Sequence, residues 1–458
     1  MTFTAIDCQG FAGGFTLGVV QSGFKLIGKR EMTGGFGVAN CEANRHLLGN
    51  TWQSEAVPPE QWSAPYANLV FGNPPCSGFS VLSSKTFRGV GSKINHCMWA
   101  FAEYAARVRP QIAIFESVPL AFTQGHSLMT ALFERLRERV PGPWKLYHVL
   151  HNAYSVGGPA QRRRYFWVAS RIPLGVEVPR MERYPTLRDT IGDLISTSEG
   201  SWGPVFYQST PTWYSRRFRI DRFEPEDVVD GHVAIDNPNT RRTRDLLQVD
   251  SECWLPGDHA QRVTRRFYEK HGSLPISWRH LEEKLKERDF FMGYNTPTMW
   301  RPDEAARVIT GAGMLNGVHW EAQRTFTHRE TARIMGFPDQ WLIEPLMNVP
   351  GLFMTWGKGI TVDCGRWIAD WAQTALNGDP GHYTGIEIGD SQYLIDVTNA
   401  WRGVGDTVTG YTRNILRKLN VPARTEKPVT EAPLFQAPES AKVVPRVDFA
   451  RPTNSTPK

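Results

Sequence analysis

A cysteine on a proline-stiffened turn is the most reactive feature of this sequence. Cys76 lies in Gly72-Asn-Pro-Pro-Cys-Ser-Gly-Phe-Ser80, which directly follows a short apolar run at 68–71. Two prolines restrict the backbone of this turn, so the thiol is presented in a fixed direction. A thiolate is a strong nucleophile where nearby groups lower the pKa of the thiol. A buried structural cysteine needs no such loop, and we therefore expect Cys76 to be a nucleophile.

Two further segments carry charged groups that suit chemistry beside a thiol. Glu116, in Phe115-Glu-Ser-Val-Pro119, ends the next apolar strand and projects over the same sheet edge as Cys76. Taken alone, a carboxylate there more often caps a helix or forms an ion pair. Three arginines at 162–164 follow a Gly-Pro turn. Such a cluster binds a phosphate or a base carbonyl, or forms a solvated basic loop.

A glycine-rich turn indicates a nucleotide-like cofactor. The segment Asp7-Cys-Gln-Gly-Phe-Ala-Gly-Gly14 follows a strand-like run and opens a helix. Glycines at such a turn let the backbone approach a bound nucleotide closely. Glu31 ends the next strand, 17 residues after Gly14, where an acid can accept both ribose hydroxyls. Together the two features favour a cofactor that contains adenosine.

Strands and helices alternate around these segments. Strand-like runs at 3–7, 25–29, 68–71, 111–115 and 165–170 alternate with helical patterns at 15–23, 98–108 and 128–140. This alternation predicts an α/β fold with a doubly wound, mostly parallel sheet. Its ligands bind at the carboxyl ends of the strands, where the turns above lie.

Composition narrows the class of protein. The chain has 458 residues, of which 41% are hydrophobic and 21% charged, so it is long enough for two or three domains with a sizeable core. The chain contains no run of about 18 apolar residues, so no membrane span is expected, and no secretory signal is visible. The six cysteines form no CxxC pair, which argues against a zinc ribbon and fits a reducing compartment. A net charge of +6 permits a polyanionic partner.

The pattern changes in the middle of the chain. We expect residues 1–185 and 325–378 to form the catalytic domain, and 186–324 to form a smaller, irregular inserted domain. In the insert, arginines alternate with aromatic residues, which suits contact with phosphates and bases. The arginines expected to make these contacts are Arg216, Arg217, Arg219, Arg241 and Arg242. Residues 379–420 form an extension without an assigned role, and 421–458 are predicted to be a disordered tail.

Taken in order, these motifs resemble those of the cytosine-5 DNA methyltransferases. The glycine turn, the Pro-Pro-Cys loop, a Glu-x-Val element and an Arg-x-Arg element precede a variable insert. The string Arg324-Thr-Phe-Thr-His-Arg-Glu-Thr-Ala-Arg-Ile-Met-Gly-Phe-Pro-Asp339 then follows and is highly specific. The family ends with Gly-Asn-Ser/Ala-Val, whose place is taken by Gly357-Lys-Gly-Ile360. The resemblance covers about residues 2–378.

The resemblance implies a class I methyltransferase fold and a reaction on a cytosine flipped out of double-stranded DNA. Cys76 would add to carbon 6 of the base, Glu116 would hold the ring nitrogen and exocyclic amine, and Arg162 and Arg164 would orient the base. The donor would be S-adenosylmethionine. Its binding residues would be Asp7, Gln9, Phe11, Gly13, Gly14, Glu31, Asn50, Pro74, Lys358 and Ile360. Ser80 and the arginines of the insert would contact DNA.

Most departures from the family pattern fall on the donor side. Gln9 replaces a Phe, Phe11 a Gly, Asn50 an Asp and Lys358 an Asn. A Lys ammonium about 6 Å from a sulfonium is repelled by roughly 3 kcal/mol at an effective dielectric near 20. Carboxy-S-adenosylmethionine carries a carboxylate on its transferable carbon, which Lys358 would bind. The product would then be 5-carboxymethylcytosine, unless Lys358 extends into solvent and the donor is ordinary.

Other functions stay open at this stage. Asn73-Pro-Pro resembles the motif of amino-group methyltransferases, although that class does not need Cys76. An RNA substrate and a catalytically inactive DNA-binding module are the remaining alternatives, and retention of Cys76 and Glu116 argues against the second. We expect a monomer that acts on double-stranded DNA, without a metal or a membrane. Its expected location is the cytoplasm of a bacterium or phage-infected cell.

Overall fold

A computed structural model describes most of the predicted catalytic part of the chain. The described residues are 2–30, 36–55, 57–80, 88–175, 181–194, 298–309, 328–342, 356–379 and 385–402, with short pieces at 228–229, 232–236, 244–248, 317–318, 320, 326 and 381. The predicted tail at 421–458 lies outside the described residues. The same holds for most of the predicted insert.

The strands and helices are numbered in chain order. The strands are β1 Thr4–Cys8, β2 Lys25–Arg30, β3 Gln53–Glu55, β4 Leu69–Gly72, β5 Ile112–Ser117, β6 Lys145–Asn152, β7 Arg163–Ser170, β8 Val228–Val229, β9 His232–Asp236, β10 Arg244–Gln248, β11 Thr298–Met299, β12 Gly317–Val318, β13 Ile386–Gly389 and β14 Gln392–Asp396. The helices are α1 Gly14–Gln21, α2 Phe36–Ala43, α3 Arg45–Leu48, α4 His96–Val108, α5 Pro119–Thr123, α6 His126–Arg139, α7 Leu187–Ile191, α8 His328–Ile334 and α9 Val362–Leu376.

Nine of the described strands form one sheet, in the order β13-β14-β6-β7-β5-β4-β1-β2-β3. Strands β3, β2, β1, β4 and β5 are parallel, so their carboxyl ends meet at one edge. Strand β7 runs antiparallel to both β5 and β6, because a direct connection of ten residues joins it to β6. The predicted doubly wound, mostly parallel sheet is confirmed. Strand β6, which the apolar pattern did not predict, is one of its inner strands.

Helices cover both faces of this sheet. On one face, α1 and α9 pack on a core that includes Phe15, Phe166 and Trp367. On the other face, α4 and α6 cover a second core that includes Phe101 and Leu132. Close contact between α1 and α9 requires a glycine, because a Cβ at Gly18 would lie 2.4 Å from the backbone nitrogen of Arg366. The helix that follows Gly357–Ile360 therefore packs directly against the helix that follows the glycine turn.

Both flanks of the predicted insert join this catalytic core. The backbone N–H of Leu187 donates to the carbonyl of Glu304, and that of Gln161 to the carbonyl of Ala306. Ala306 is buried in the same core as the sheet. Residues 187–194 and 300–309 thus pack with the catalytic part, although both lie within the range 186–324 predicted for the insert. The existence of a separate domain between them stays a prediction.

The extension at 379–420 contributes to the main sheet. Strand β14 pairs in parallel with β6, and β13 pairs with β14 as an antiparallel hairpin. The sequence pattern indicates no role for this segment. The structure shows that its described part covers the edge that β6 would otherwise expose.

Candidate functional site

The glycine turn connects β1 to α1 and is covered by the closing motif. Gly13 has a left-handed backbone with φ 88°, and a Cβ there would lie 2.8 Å from the Trp341 ring. A Cβ at Gly14 would lie 2.2 Å from the carbonyl oxygen of Ile360. Only glycine permits both approaches. The structure therefore brings together Gly13, Gly14 and Ile360, three of the residues predicted to bind the donor.

Gln9 and Phe11 adopt left-handed conformations in the same turn, with φ of 70° and 50°. Such a backbone costs a residue with a side chain about 1–2 kcal/mol. The neighbouring loops hold Gln9, whose N–H donates to the carbonyl of Arg30 and whose carbonyl accepts from the N–H of Asn73. Its side chain also donates to the carbonyl of Cys97 over 3.3 Å. The turn thus keeps a glycine-like shape at Phe11 without the glycine that is usual there.

Asp7 supports this turn from below. Its carboxylate is fully buried and accepts hydrogen bonds from the Lys29 ammonium at 2.7 Å and the Thr16 hydroxyl at 2.6 Å. Lys29 is itself fully buried, and sequence reasoning did not select it. The sequence did contain a signal for Lys29, because a lysine within a strand expected to be buried needs a buried partner. The ion pair joins β1, β2 and α1 beneath the predicted donor site.

Three other predicted donor residues have different outcomes. Glu31 lies outside the described residues. Pro74 is buried in the loop after β4. Asn50 is exposed and precedes β3, so it lies at the amino end of a parallel strand, away from the edge where Asp7 and Pro74 lie. The residue at the carboxyl end of β3 is Glu55, paired in register with Arg30.

Cys76 begins a short 3-10 turn, Ser77–Phe79, beyond the end of β4. The loop crosses the end of β1 so closely that a Cβ at Gly72 would lie 1.8 Å from the carbonyl oxygen of Cys8. Cys76 as a residue is half-buried. Burial, and then the charge of Glu116, raise the pKa of Cys76 to about 11, against the opposing charges of Arg164 and Arg162. The free protein therefore holds Cys76 as a thiol at neutral pH.

Glu116 lies at the end of β5 and faces Cys76 and the arginines. Its carboxylate is buried, lies 2.9 Å from the Nε of Arg164 and accepts a hydrogen bond from the side-chain amide of Asn73. Burial raises the pKa of Glu116 to about 7, although Arg164 and Arg162 lower it. Asn73 was noticed in the sequence only as part of the amino-methyltransferase alternative. Here it is a partner of Glu116.

The two predicted arginines have different partners in the structure. Arg164 pairs with Glu116 through its Nε. Arg162 is fully buried and its guanidinium donates to three backbone carbonyls, those of Ile309, Gly357 and Gly359, over 2.6–2.8 Å. Burial, and then the charge of Arg164, lower the pKa of Arg162 to about 9. Arg162 thus ties three segments together, and its guanidinium hydrogen-bonds backbone, whereas a base-orienting role was predicted.

A buried histidine adjoins these arginines. His151 pairs in register with Arg164 across β6 and β7, and its ring stacks on Phe166 with centroids 4.4 Å apart. Burial, and then the charge of Arg164, lower the pKa of His151 to about 3. The imidazole is therefore neutral at physiological pH and adds no third positive charge to the pair of arginines. Sequence reasoning did not select it.

Lys358 lies between the two glycine carbonyls that bind Arg162. Its side chain is exposed, whereas the neighbouring Ile360 is buried. The structure therefore places its backbone beside the site and leaves its ammonium in contact with solvent. Among the predicted DNA-contacting residues, Ser80 is partly exposed at the end of the 3-10 turn that begins at Cys76. The arginines at 216, 217, 219, 241 and 242 lie outside the residues whose side chains the structure describes.

Within the described ranges, no group of three or more His, Cys, Asp or Glu side chains is arranged to hold a metal ion. None of the helices in that part of the chain is both long and apolar enough to cross a lipid bilayer.

Similarity to other proteins was found at the level of family, sequence and structure. Residues 3–372 match the family described as C-5 cytosine-specific DNA methylase. The chain is 22% identical over 354 residues to the Type II methyltransferase M1.HphI of Haemophilus parahaemolyticus, spanning 75% of this chain and 79% of that protein. It is 22% identical over 371 residues to the Type II methyltransferase M.MthTI of Methanothermobacter thermautotrophicus, spanning 80% and 96%. A solved structure, a putative DNA modification methyltransferase encoded within an E. coli prophage, aligns with a TM-score of 0.49 at 16% identity, covering 82% of this chain and 100% of that one.

Proposed function

Since this chain belongs to the C-5 cytosine-specific DNA methylase family, we propose that it transfers a methyl group to carbon 5 of cytosine in double-stranded DNA through a covalent adduct on Cys76. The observation that carries this proposal is the grouping of Cys76, Glu116 and Arg164 at the ends of neighbouring strands. A thiol, a carboxyl with a raised pKa and a guanidinium are together sufficient for addition to an electron-poor ring.

Each of these side chains has a step to perform. The Cys76 thiol gives its proton to the Glu116 carboxylate, and the sulfur forms a bond to carbon 6 while the protonated Glu116 donates to ring nitrogen 3. Arg164 stays paired with Glu116 and offsets charge that develops near the carboxyl. Carbon 5 is then electron-rich enough to attack an electrophilic methyl carbon, whose bond to the donor's sulfonium sulfur would break in the same step and release a neutral thioether. A base removes the proton from carbon 5, the ring double bond re-forms as the Cys76 sulfur leaves, and the proton on ring nitrogen 3 returns to Glu116.

The protonation states fit this sequence of steps. A pKa of about 7 for Glu116 means that a proton is available at neutral pH for donation to the ring. Protonation of Glu116 also removes the negative charge that raises the pKa of Cys76. Formation of the thiolate is therefore favoured when Glu116 holds a proton and donates to the base.

The residues of the β1–α1 turn fit S-adenosylmethionine, which supplies the electrophilic methyl carbon when bound. Backbone N–H groups at the amino end of α1 favour the carboxylate of an amino acid, and α1 has no acidic residue in its first turn. Asp7 acts on this site indirectly, because Lys29 and Thr16 already bind its carboxylate. Gln9, Phe11, Glu31 and Pro74 are further proposed donor residues, and Asn50 is the weakest of the set because of its place at the opposite edge.

A covalent trap tests the proposal. DNA with 5-fluorocytosine at target sites should form a stable complex with the wild-type protein, because fluorine cannot leave as a proton does. Cys76→Ser should form none, whereas Cys97→Ser, a change at a buried cysteine of α4, should trap like the wild type. Equal trapping by Cys76→Ser would contradict the assignment. Parallel reactions with matched RNA, and binding without turnover, separate the RNA-substrate and inactive-module alternatives.

A carboxymethyl donor is a second candidate, supported by the position of Lys358. Arg162 fixes the carbonyls on both sides of Lys358, so its Cα is held beside the arginine whose charge acts on Cys76 and Glu116. An exposed, charged ammonium on a fixed backbone is able to turn toward a carboxylate on the donor. Wild type and Lys358→Asn should be compared with S-adenosylmethionine and its carboxy derivative in equal amounts. Methyl transfer alone from the wild type would eliminate this candidate.

DNA recognition is proposed for the inserted segment and for Ser80. Arginine side chains among aromatics, at 216, 217, 219, 241 and 242, suit phosphates and base edges. Loss of a phosphate contact should lower the salt dependence of binding by about one unit for all sequences, whereas loss of a base contact should cost about 1–3 kcal/mol at one position. A graft of 195–297 onto a related enzyme that leaves the recognised site unchanged would contradict this role. We further propose a monomer that acts in the cytoplasm of a bacterium or phage-infected cell.

A further inference from the structure

The extension beyond the family match is built into the catalytic sheet. The match ends at residue 372, and strand β14 begins at Gln392. Five residues of β14 pair with β6, from Gln392 opposite Leu146 to Asp396 opposite Leu150. The ladder then continues, because the N–H of Val397 donates to the carbonyl of Leu150 over 2.8 Å. Strand β6 leads directly into the turn that precedes Arg162 and Arg164.

A buried histidine anchors the extension to the sheet. His148 of β6 is fully buried, with one ring nitrogen 2.7 Å from the Tyr165 hydroxyl and the other 3.1 Å from Oε1 of Gln392. Burial lowers the pKa of His148 to about 3, so the ring is neutral. Because Oε1 of Gln392 can only accept, the neutral ring donates its single N–H to that side-chain oxygen, and its other nitrogen accepts from the Tyr165 hydroxyl. The extension thus satisfies a buried polar group that the family segment alone leaves open.

Beyond β14, the extension contacts the turn before the arginines. This turn is the 3-10 segment Ala153–Val156. The Ser155 hydroxyl donates to the carbonyl of Thr398 over 2.9 Å. The Trp401 ring packs edge-on against Tyr154, with centroids 5.4 Å apart. Two neighbouring residues of the turn are therefore held from outside by residues 398 and 401.

The same turn is bonded to the arginine strand from inside. The N–H of Ala153 donates to the carbonyl of Arg162 over 2.9 Å, and that of Gly158 to the carbonyl of Ala153. Gly157 follows the turn with φ 95°, a conformation that side chains oppose. Two consecutive glycines make this connection intrinsically adaptable, so its shape depends on the contacts around it. Arg164, two residues beyond Arg162, pairs with Glu116 at 2.9 Å.

We propose that residues 385–402 are a positioning element of the active site, with Trp401 and Ser155 as the residues through which it holds Arg164 against Glu116. The inference rests on the role proposed above for Glu116. Without the outer contacts the turn shifts, and Arg164 is no longer held at ion-pair distance. A misplacement of about 1 Å at a catalytic group is enough to lower a rate by up to about 100-fold. The extension is thereby part of the catalytic unit, although it lies outside the family match.

Trp401→Ala tests the proposal through the rate and its dependence on pH. The groups that face Glu116 are Arg164 and Arg162, Cys76 from the loop after β4, and Cys364 from α9. Arg164 lowers the pKa of Glu116, so loss of its contact should move the acid limb of the rate profile to higher pH. We expect the single-turnover rate per trapped active site to fall about tenfold or more, with DNA affinity unchanged. Trp401→Phe keeps an aromatic ring against Tyr154 and should restore both properties.

Controls separate positioning from folding. Glu138→Ala changes an exposed residue of α6, outside the extension and the site, and should leave the rate and its acid limb unchanged. If Trp401→Ala does not fold, Ser155→Ala, which removes only the bond to Thr398, takes its place. One outcome is that a variant traps fewer molecules on 5-fluorocytosine DNA while each trapped molecule keeps the wild-type rate and pH profile. That result would overturn the proposal, because a merely structural role changes only the number of active molecules. Absence of any transfer to carbon 5 of cytosine by the wild type would overturn the proposed function instead.

Discussion

The two halves of the site are built differently. On the transfer side, Cys76, Glu116 and Arg164 keep the residue types of the family; Arg164 pairs with Glu116, and the charges of both act on Cys76. On the donor side, Gln9 and Phe11 replace the usual residues of the glycine turn, yet the backbone retains left-handed conformations. A buried ion pair between Asp7 and Lys29 lies beneath that turn. Side-chain chemistry defines the first half, whereas backbone shape defines the second, and the residues at positions 9 and 11 keep that shape.

The largest effect is expected at Glu116 on the transfer side. Glu116→Gln removes an acid whose interaction with the base strengthens as the adduct forms, so the rate should fall by about 10²–10⁴-fold. DNA affinity should change little, because the amide still accepts from Asn73. The matched control is Glu103→Gln, which changes a carboxylate of α4 that pairs with Arg135 of α6. Equal losses of affinity and rate in Glu116→Gln would place this residue in binding instead of chemistry.

On the donor side, the largest expected effect concerns stability. Lys29→Met leaves the Asp7 carboxylate buried without its ammonium, and the free energy of unfolding should fall by about 3–5 kcal/mol. Asp7→Asn combined with Lys29→Met removes both charges and should recover part of the loss. Denaturant titration measures all three proteins. A single variant as stable as the wild type would show that the pair does not support the turn.

The pH dependence distinguishes two protonation states on the transfer side. The active state needs Cys76 as thiolate and Glu116 as acid, which together hold one proton. With pKa values of about 7 and about 11, the pair holds two protons below pH 7 and one proton between these values. The ratio kcat/KM should therefore rise about tenfold per pH unit below 7 and level off above it. A rise that continues to pH 10 would mean that Glu116 acts as a carboxylate.

The smallest effect is expected for the strained backbone of the donor turn. Phe11→Gly relieves a left-handed residue with φ 50° but removes its ring, so the free energy of unfolding should change by about 1 kcal/mol or less. Gly13→Ala, at the neighbouring left-handed position, should be far more destabilising because its Cβ would meet Trp341 at 2.8 Å. Similar losses for both variants would show that the turn needs the Phe11 side chain.

Sequence predicted the parts of the fold that depend on local pattern. Alternating strands and helices, the glycine turn and the position of Cys76 were all visible because each is a contiguous signal. Strand β6 was missed since His148 and His151 interrupt its apolar pattern, and the partner of His148 is 244 residues away at Gln392. The bonds of Arg162 to Ile309 and to the final motif were hidden for the same reason. Partners that are distant in sequence, such as these, become visible only when the chain is folded.

Mass spectrometry of nucleosides tests the central claim most directly. DNA from cells that express the wild-type protein, compared with DNA from cells that express Cys76→Ser, reports the base, the modified position and the transferred group. The proposed function predicts 5-methylcytosine with the wild type, or 5-carboxymethylcytosine if Lys358 selects the carboxy donor, and neither with Cys76→Ser. Modified cytosine at carbon 5 in the Cys76→Ser sample, or methylation on an exocyclic amine with the wild type, would contradict the mechanism.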